Sequence, residues 1–199
     1  MKKTSTADIL YSPSDLVTFI RSPFASWMDR LAIETPEAVE DIDTLKDPMM
    51  DLLGDKGSKH EHSYLEKLIQ QYGEENVAII TGKGDQGIAD THAAMKAGHP
   101  VIFQAALQRE NFQGYADFLI KCDGKSKLGE YYYEAWDTKL AKSTRPYFLI
   151  QLCAYSWMLE EFQDKRPDEA AIVLGDGTID QYRISGYYNY FKNALQQFL

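Results

Sequence analysis

Gly114-Tyr115-Ala116-Asp117, followed by Glu134-Ala135-Trp136-Asp137-Thr138-Lys139 and then by Gln151-Leu152-Cys153-Ala154-Tyr155, is the stretch on which the reading of this chain turns. The first two pieces carry strand patterning and the third carries helical patterning. Asp-x-Lys alone is weak evidence, because an amphipathic strand can carry it by chance. The ordered set is stronger. Trp136, Thr138 and Leu140 alternate with Asp137 and Lys139, so carboxylate and ammonium point to one face of their strand. Asp117 lies inside the apolar run Tyr115–Ile120, where a carboxylate needs a partner, and a cation is a good one. Gln151 and Tyr155 are four residues apart and share a helix face.

Working outward, the pattern is that of an α/β chain. Ser12-Pro13-Ser14-Asp15 precedes Leu16, Phe19, Ile20 and Phe24, a capped helix start with apolar spacing near 3.6. Helices are expected over Lys56–Tyr72, Asp85–Lys96 and Tyr147–Phe162, and from near Gly186 to the end. Strands are expected at Val77–Ile80, Val101–Leu107, Gly114–Cys122, Tyr131–Leu140, Ala170–Leu174 and Thr178–Ile184. A turn at Asp123-Gly124-Lys125-Ser126 makes the third and fourth strands antiparallel neighbours, bringing Asp117 and Asp137 to one end of the sheet. There is no internal repeat. The final helix carries no stop signal, so the chain is expected to be the front part of a longer protein.

Bulk properties bound the function. The 199 residues suit one compact domain, and 44% hydrophobic with 26% charged residues is an ordinary globular composition. No apolar run approaches a membrane span and no secretory leader follows Met1, so no membrane is expected and a cytoplasmic protein is the simple reading. The net charge of −9 weighs against tight, autonomous binding to nucleic acid. It is unevenly spread. From Glu34 to Asp55 eight acids face only Lys46, whereas from Val101 to Ile150 seven bases meet six acids.

The three motifs resemble the RecB-like branch of the PD-(D/E)XK nucleases, a group that includes CRISPR-associated exonucleases. In that branch a Gly-x-x-Asp strand, an Asp-x-Lys strand and a Gln-x-x-x-Tyr helix follow in this order. The resemblance implies a restriction-endonuclease-like core, a central mixed sheet flanked by helices, with an N-terminal helical segment. The segment is expected at 1–56, with an acidic flap near 35–55, and the core at 57–199. It implies a deoxyribonuclease, exonuclease-like, working on single- or double-stranded DNA in repair, recombination or defence, alongside a C-terminal domain or partner helicase.

The implied cofactor is Mg²⁺ or Mn²⁺, hard cations that want oxygen ligands. Its implied ligands are Asp117, Asp137 and the backbone carbonyl of Thr138, with His60 from Gly57-Ser-Lys-His60-Glu61-His62 and Glu61 as its substitute or helper. Lys139 would stabilise charge at phosphorus or orient the attacking water. Gln151 and Tyr155 would contact the metal water or the DNA backbone. Lys142, Arg145 and Lys121 are candidate phosphate contacts, and a solvated basic patch is the equal alternative. Glu134, three residues before Asp137, falls on the opposite face of the strand unless a bulge intervenes, and Glu66 is an outside candidate. His62 points elsewhere, and His92 and His99 read as structural.

Iron–sulfur members of the branch place one cysteine early and three late. Here the early region reads Arg21-Ser22-Pro23, and the only cysteines are Cys122 and Cys153, so no iron–sulfur cluster is expected. Cys153 lies in an apolar helix with no histidine nearby in sequence, which argues against a thiol nucleophile. Two other readings remain open: a catalytically silent nucleic-acid-binding or assembly module with the nuclease fold, and an unrelated α/β protein in which the motif is a coincidence.

Overall fold

A computed structural model of the chain describes residues 1–3, 8–39 and 48–199. Its centre is a six-stranded mixed sheet built from β3 (Val77–Ile79), β4 (Val101–Arg109), β5 (Phe112–Ser126), β6 (Gly129–Lys139), β7 (Glu169–Leu174) and β8 (Ile179–Arg183), in that spatial order. A separate antiparallel pair, β1 (Lys2–Lys3) and β2 (Ile9–Leu10), precedes it. The β3–β4 and β6–β7 pairs are parallel and the other neighbours antiparallel. Each parallel pair is bridged by a helix, α4 (Gly84–Ala97) and α5 (Pro146–Gln163) respectively, as parallel crossovers require.

The helices form two layers. On one face α3 (Pro48–Tyr72) places Tyr64, Leu65 and Leu68 against Val101, Phe103, Phe118, Ile120 and Val173. On the other, α1 (Pro13–Arg21), α4, α5 and α6 (Tyr188–Phe198) bury a larger core with Ile102, Leu119, Tyr133, Ala135 and Ile172. Helix α5 is apolar nearly all round because it is covered on most sides. Among the described residues, no helix is long and apolar enough to cross a membrane.

The N-terminal cap forms as its sequence demands. Ser12 Oγ accepts the Asp15 N–H at 3.3 Å, and Asp15 Oδ2 accepts the Ser12 N–H at 2.8 Å. The apolar run beyond it is not one helix. Ser22-Pro23 ends α1 and restarts the chain as α2 (Pro23–Glu34), where Ser22 Oγ accepts the Ala25 N–H. Helix α3 runs unbroken through residue 56, so the expected boundary between segment and core falls inside a helix. Of the expected acidic flap, Pro36–Ala38 forms one 3₁₀ turn, and residues 40–47 lie outside the described residues.

The β5–β6 hairpin departs from expectation. Gly124, with φ of +145°, does not turn the chain. It bulges the strand between Asp123 and Ser126, and the reversal comes at residues 127–128. Ser126 Oγ closes it by accepting the Leu128 N–H at 3.0 Å and donating to the Tyr131 carbonyl.

Candidate active site

Asp117 and Asp137 meet where the strand ladder is disturbed. Phe118 pairs with Trp136, and the next step along the register sets Asp117 opposite Asp137. On its other side Asp117 lies between the pairs Phe103–Phe118 and Ala105–Ala116, opposite Gln104. Gln104 has φ of +57°, a left-handed backbone that non-glycine residues rarely adopt. The sheet's alternation reverses there. Phe103 and Phe118 belong to the α3 core, while Ala105 and Ala116, two residues away on each strand, belong to the opposite core. Simple period-two alternation would keep each pair on one face. The reversal gives Asp117 neighbours from both layers.

From β6, the Asp117 Oδ2 atom accepts both the Thr138 N–H and the Thr138 hydroxyl, each at 2.7 Å. Since the N–H and C=O of a strand residue point to the same side, the Thr138 carbonyl also opens toward β5. Lys139 is ion-paired with Asp137, confirming that the two share a face. Asp137 is only 2% exposed. Burial pushes its carboxyl well above the ordinary range; the Lys139 ammonium opposes this, and the charges of Asp117 and Glu61 reinforce it. Burial would lower the Lys139 pKa, but Asp137, Asp117 and Glu61 together hold it above its ordinary value, so the side chain stays protonated.

From the α3 layer comes Glu61. Gln104 Nε2 donates to its Oε1, and its pKa is raised by burial and then by the charge of Asp117. Of the two expected contributors on α3, Glu61 is the one that couples electrostatically to Asp117, Asp137 and Lys139. His60 Nε2 lies 3.3 Å from the Val173 carbonyl oxygen on β7. Gln104 carries no motif and was not legible as a site residue. Its signal is the backbone strain, which sequence does not display.

From the α5 layer, Gln151 Nε2 donates to Tyr155 Oη at 2.9 Å, and Tyr155 Oη donates to the Tyr115 carbonyl at 2.8 Å. Burial, then the Asp137 and Asp117 charges, push the Tyr155 phenol well above its ordinary pKa, so it keeps its proton on that carbonyl. Gly114 explains itself here. A Cβ at that position would lie 3.0 Å from both Tyr155 Cε1 and Pro13 Cδ. The glycine of one motif therefore makes room for the tyrosine of another.

Asp117, Asp137, Lys139, Gln151 and Tyr155 line one cavity of about 420 Å³, whose walls also include Lys2 and the start of α1. The remaining candidates fall elsewhere. Lys121 is turned to the C-terminal end of α4, where its Nζ donates to the Gly98 carbonyl at 3.1 Å. Lys142 and Arg145 lie exposed in the loop between β6 and α5. Glu134 is on the opposite face of β6, accepting from Tyr132 Oη at 3.0 Å and from the Glu169 N–H at 3.2 Å. Glu66 is exposed. His62 Nδ1 lies 2.8 Å from the Ser58 carbonyl, His92 stacks on Phe162 at 3.7 Å, and the His99 carbonyl accepts from Tyr133 Oη. Burial pushes both cysteine thiols up to about 12, which leaves neither an activated nucleophile.

The donor chemistry fits a hard divalent cation. The charge of Asp117 raises the proton affinity of Glu61 and of Asp137, and Glu61 adds to the effect on Asp137, with Lys139 as the near cation, so negative charge collects on oxygen donors. Among the described residues, no three His, Cys, Asp or Glu side chains are placed to hold a metal ion together. Magnesium asks for less, since it keeps several waters beside one or two carboxylates. The chain matches no protein-family model and no curated protein sequence.

Proposed function

We propose that this chain is a Mg²⁺- or Mn²⁺-dependent nuclease that hydrolyses DNA phosphodiesters, with a restriction-endonuclease-like core of the RecB-like kind, acting in the cytoplasm. The observation that carries the reading is the convergence of Asp117, Asp137, Lys139, Gln151 and Tyr155 on one cavity, from two strands and one helix. Asp117, Asp137 and the Thr138 carbonyl would hold the ion, with Glu61 rather than His60 as the α3 contributor. A bound divalent ion supplies Lewis-acid polarisation of the phosphate and an acidified water.

The chain's own groups do the rest. Without the ion, Lys139 is kept cationic by Asp137, Asp117 and Glu61. Its role is to neutralise charge growing on the phosphate oxygens. Asp137 fixes that ammonium by their ion pair. Tyr155 holds its proton on the Tyr115 carbonyl and thereby orients the Gln151 amide at the cavity wall. Asp117 spans the β5–β6 junction through Thr138, so the ligand strands keep their spacing.

The test is cleavage of end-labelled single- and double-stranded DNA with Mg²⁺ or Mn²⁺ by wild type and Lys139→Ala. Metal-dependent cutting that disappears in the variant supports the reading. A wild-type chain that neither cuts nor binds Mn²⁺ sinks it. The net charge of −9 favours one second reading, a silent binding or assembly module on the same fold, which predicts Mn²⁺ binding without cleavage.

A further inference from the structure

Next to the carboxylate cavity lies a second one, of about 530 Å³. Its walls are the C-terminal end of α1 with Arg21, the start of α5 with Arg145 and Tyr147, and the β8–α6 region with Tyr182, Tyr187 and Tyr190. Among the described residues the two share no lining residue, and the buried Phe148 ring stands between Lys139 of one and Tyr147 of the other. Lys139 Nζ sits 5.5 Å from the centre of the Phe148 ring, and Phe148 is 4.8 Å from Tyr147, centre to centre. The groove therefore begins within two side chains of the cavity's lysine.

Its lining is aromatic and basic. The chain carries 30 acidic residues against 21 basic ones, yet among the described residues no Asp or Glu lines this groove. Asp180 borders it, its carboxylate taken up by two lining residues: it accepts from Thr144 Oγ1 at 2.7 Å and from Tyr182 Oη at 3.3 Å. Arg145 Nη1 donates to Tyr147 Oη at 3.0 Å, and the Arg21 guanidinium lies 5.4 Å over the same ring. Tyr187 and Tyr190 are 37% and 58% exposed, aromatic faces presented to solvent.

We propose that this groove is a stacking platform for unpaired DNA nucleotides, on the strand whose scissile phosphate reaches Lys139. Aromatic faces stack any base, and interleaved arginines neutralise the backbone that connects them. A closed duplex has its bases stacked on one another and offers no face to these rings. The platform thus selects single strands and frayed ends. The choice of DNA rests on the nuclease reading above. Tyrosine and arginine also anchor protein partners, but the absence of lining carboxylates among the described residues and the nearness of Lys139, one buried ring away, favour a polyanion.

The test is fluorescence anisotropy of the full chain in EDTA, which stops cutting, with a labelled oligothymidylate and a blunt hairpin duplex. Wild type is expected to hold the oligothymidylate more tightly. Tyr190→Ala should weaken that binding roughly 5- to 100-fold while leaving duplex binding unchanged. Tyr190→Phe should bind as wild type, because the ring and not the hydroxyl does the stacking, and Tyr187→Ala should repeat the loss. Unchanged binding in Tyr190→Ala, equal loss on both DNAs, or loss in Tyr190→Phe would each overturn the proposal. So would a change in sedimentation on mixing with a protein partner that depends on Tyr190 while DNA binding does not. The readout needs no catalysis. Lys139-dependent cutting with no effect of Tyr190 leaves the nuclease reading and removes the platform; Tyr190-dependent binding without cutting does the reverse.

Discussion

The Lys139 ammonium is paired with the Asp137 carboxylate two residues before it on β6, and the side chains are 22% and 3% exposed. Neither charge sits comfortably in that position alone. Lys139→Met strands a buried carboxylate, and breaking such a pair from one side costs about 3–5 kcal/mol. The double variant Asp137→Asn/Lys139→Met removes the stranded charge and should recover a large part of that loss while remaining inactive. Urea denaturation of the three proteins measures both effects. An unchanged midpoint in Lys139→Met would mean that Asp137 has another partner.

Asp117 raises the pKa of both Glu61 and Asp137 by its charge. With metal removed, Asp117→Asn should relieve this repulsion and raise stability by on the order of 1 kcal/mol. Its amide oxygen can still accept from Thr138. In Mn²⁺ at 100 times the dissociation constant, wild type should gain about 2.7 kcal/mol and the variant far less. The two thermal shifts have opposite order with and without the ion, which excludes a general loss of fold. A wild-type melting curve indifferent to Mn²⁺ would remove the metal from the reading.

Gly114 and Tyr155 are in contact across β5 and α5. Gly114→Ala places a Cβ 3.0 Å from Tyr155 Cε1 and from Pro13 Cδ, both held by buried structure. Overpacking of this kind costs about 1–3 kcal/mol. Tyr155→Phe instead keeps the ring and leaves the Tyr115 carbonyl without its donor, at about 1–3 kcal/mol. Both should also lower activity, since each moves Gln151. A Gly114→Ala protein with wild-type stability and activity would show that the ring does not hold its place.

The strands and most of the helices were legible because their residues follow the periods of the buried faces: Val101–Arg109 and Glu169–Leu174 are nearly continuous apolar runs, as central strands are. The Asp137–Lys139 and Gln151–Tyr155 pairs were legible for the same reason, since strand and helix spacing put each pair on one face. Three things were not. Ser22-Pro23 splits the first helix, because a serine that can cap and a proline that can start outweigh the apolar spacing running through them. Gly124 reads as a turn, but its positive φ serves a bulge just as well, and only the pairing of Ser126 with Gly129 decides between them. Gln104 and its hydrogen bond to Glu61 depend on a local reversal of the strand faces, which is a tertiary property of two strands together.

Glu134 provides the last prediction. It is 6% exposed, and burial raises its carboxyl above the ordinary 4.5, against the opposing hydrogen bonds from Tyr132 and the Glu169 N–H. As pH rises past 4.5, the unfolded chain releases this proton while the folded chain still keeps it. The unfolded state then binds fewer protons, so stability falls with rising pH until the folded pKa is passed. The neighbouring Cys122 thiol, pushed to about 12, stays neutral throughout that window. Glu134→Gln keeps an acceptor for Tyr132 and Glu169 and has no proton to lose. Its stability relative to wild type should therefore increase between about pH 4 and about pH 8, the span over which carboxyl groups with raised values titrate. Urea midpoints of both proteins at the two ends of that range measure the difference. Parallel pH profiles would show that the folded Glu134 carboxyl titrates where the unfolded one does.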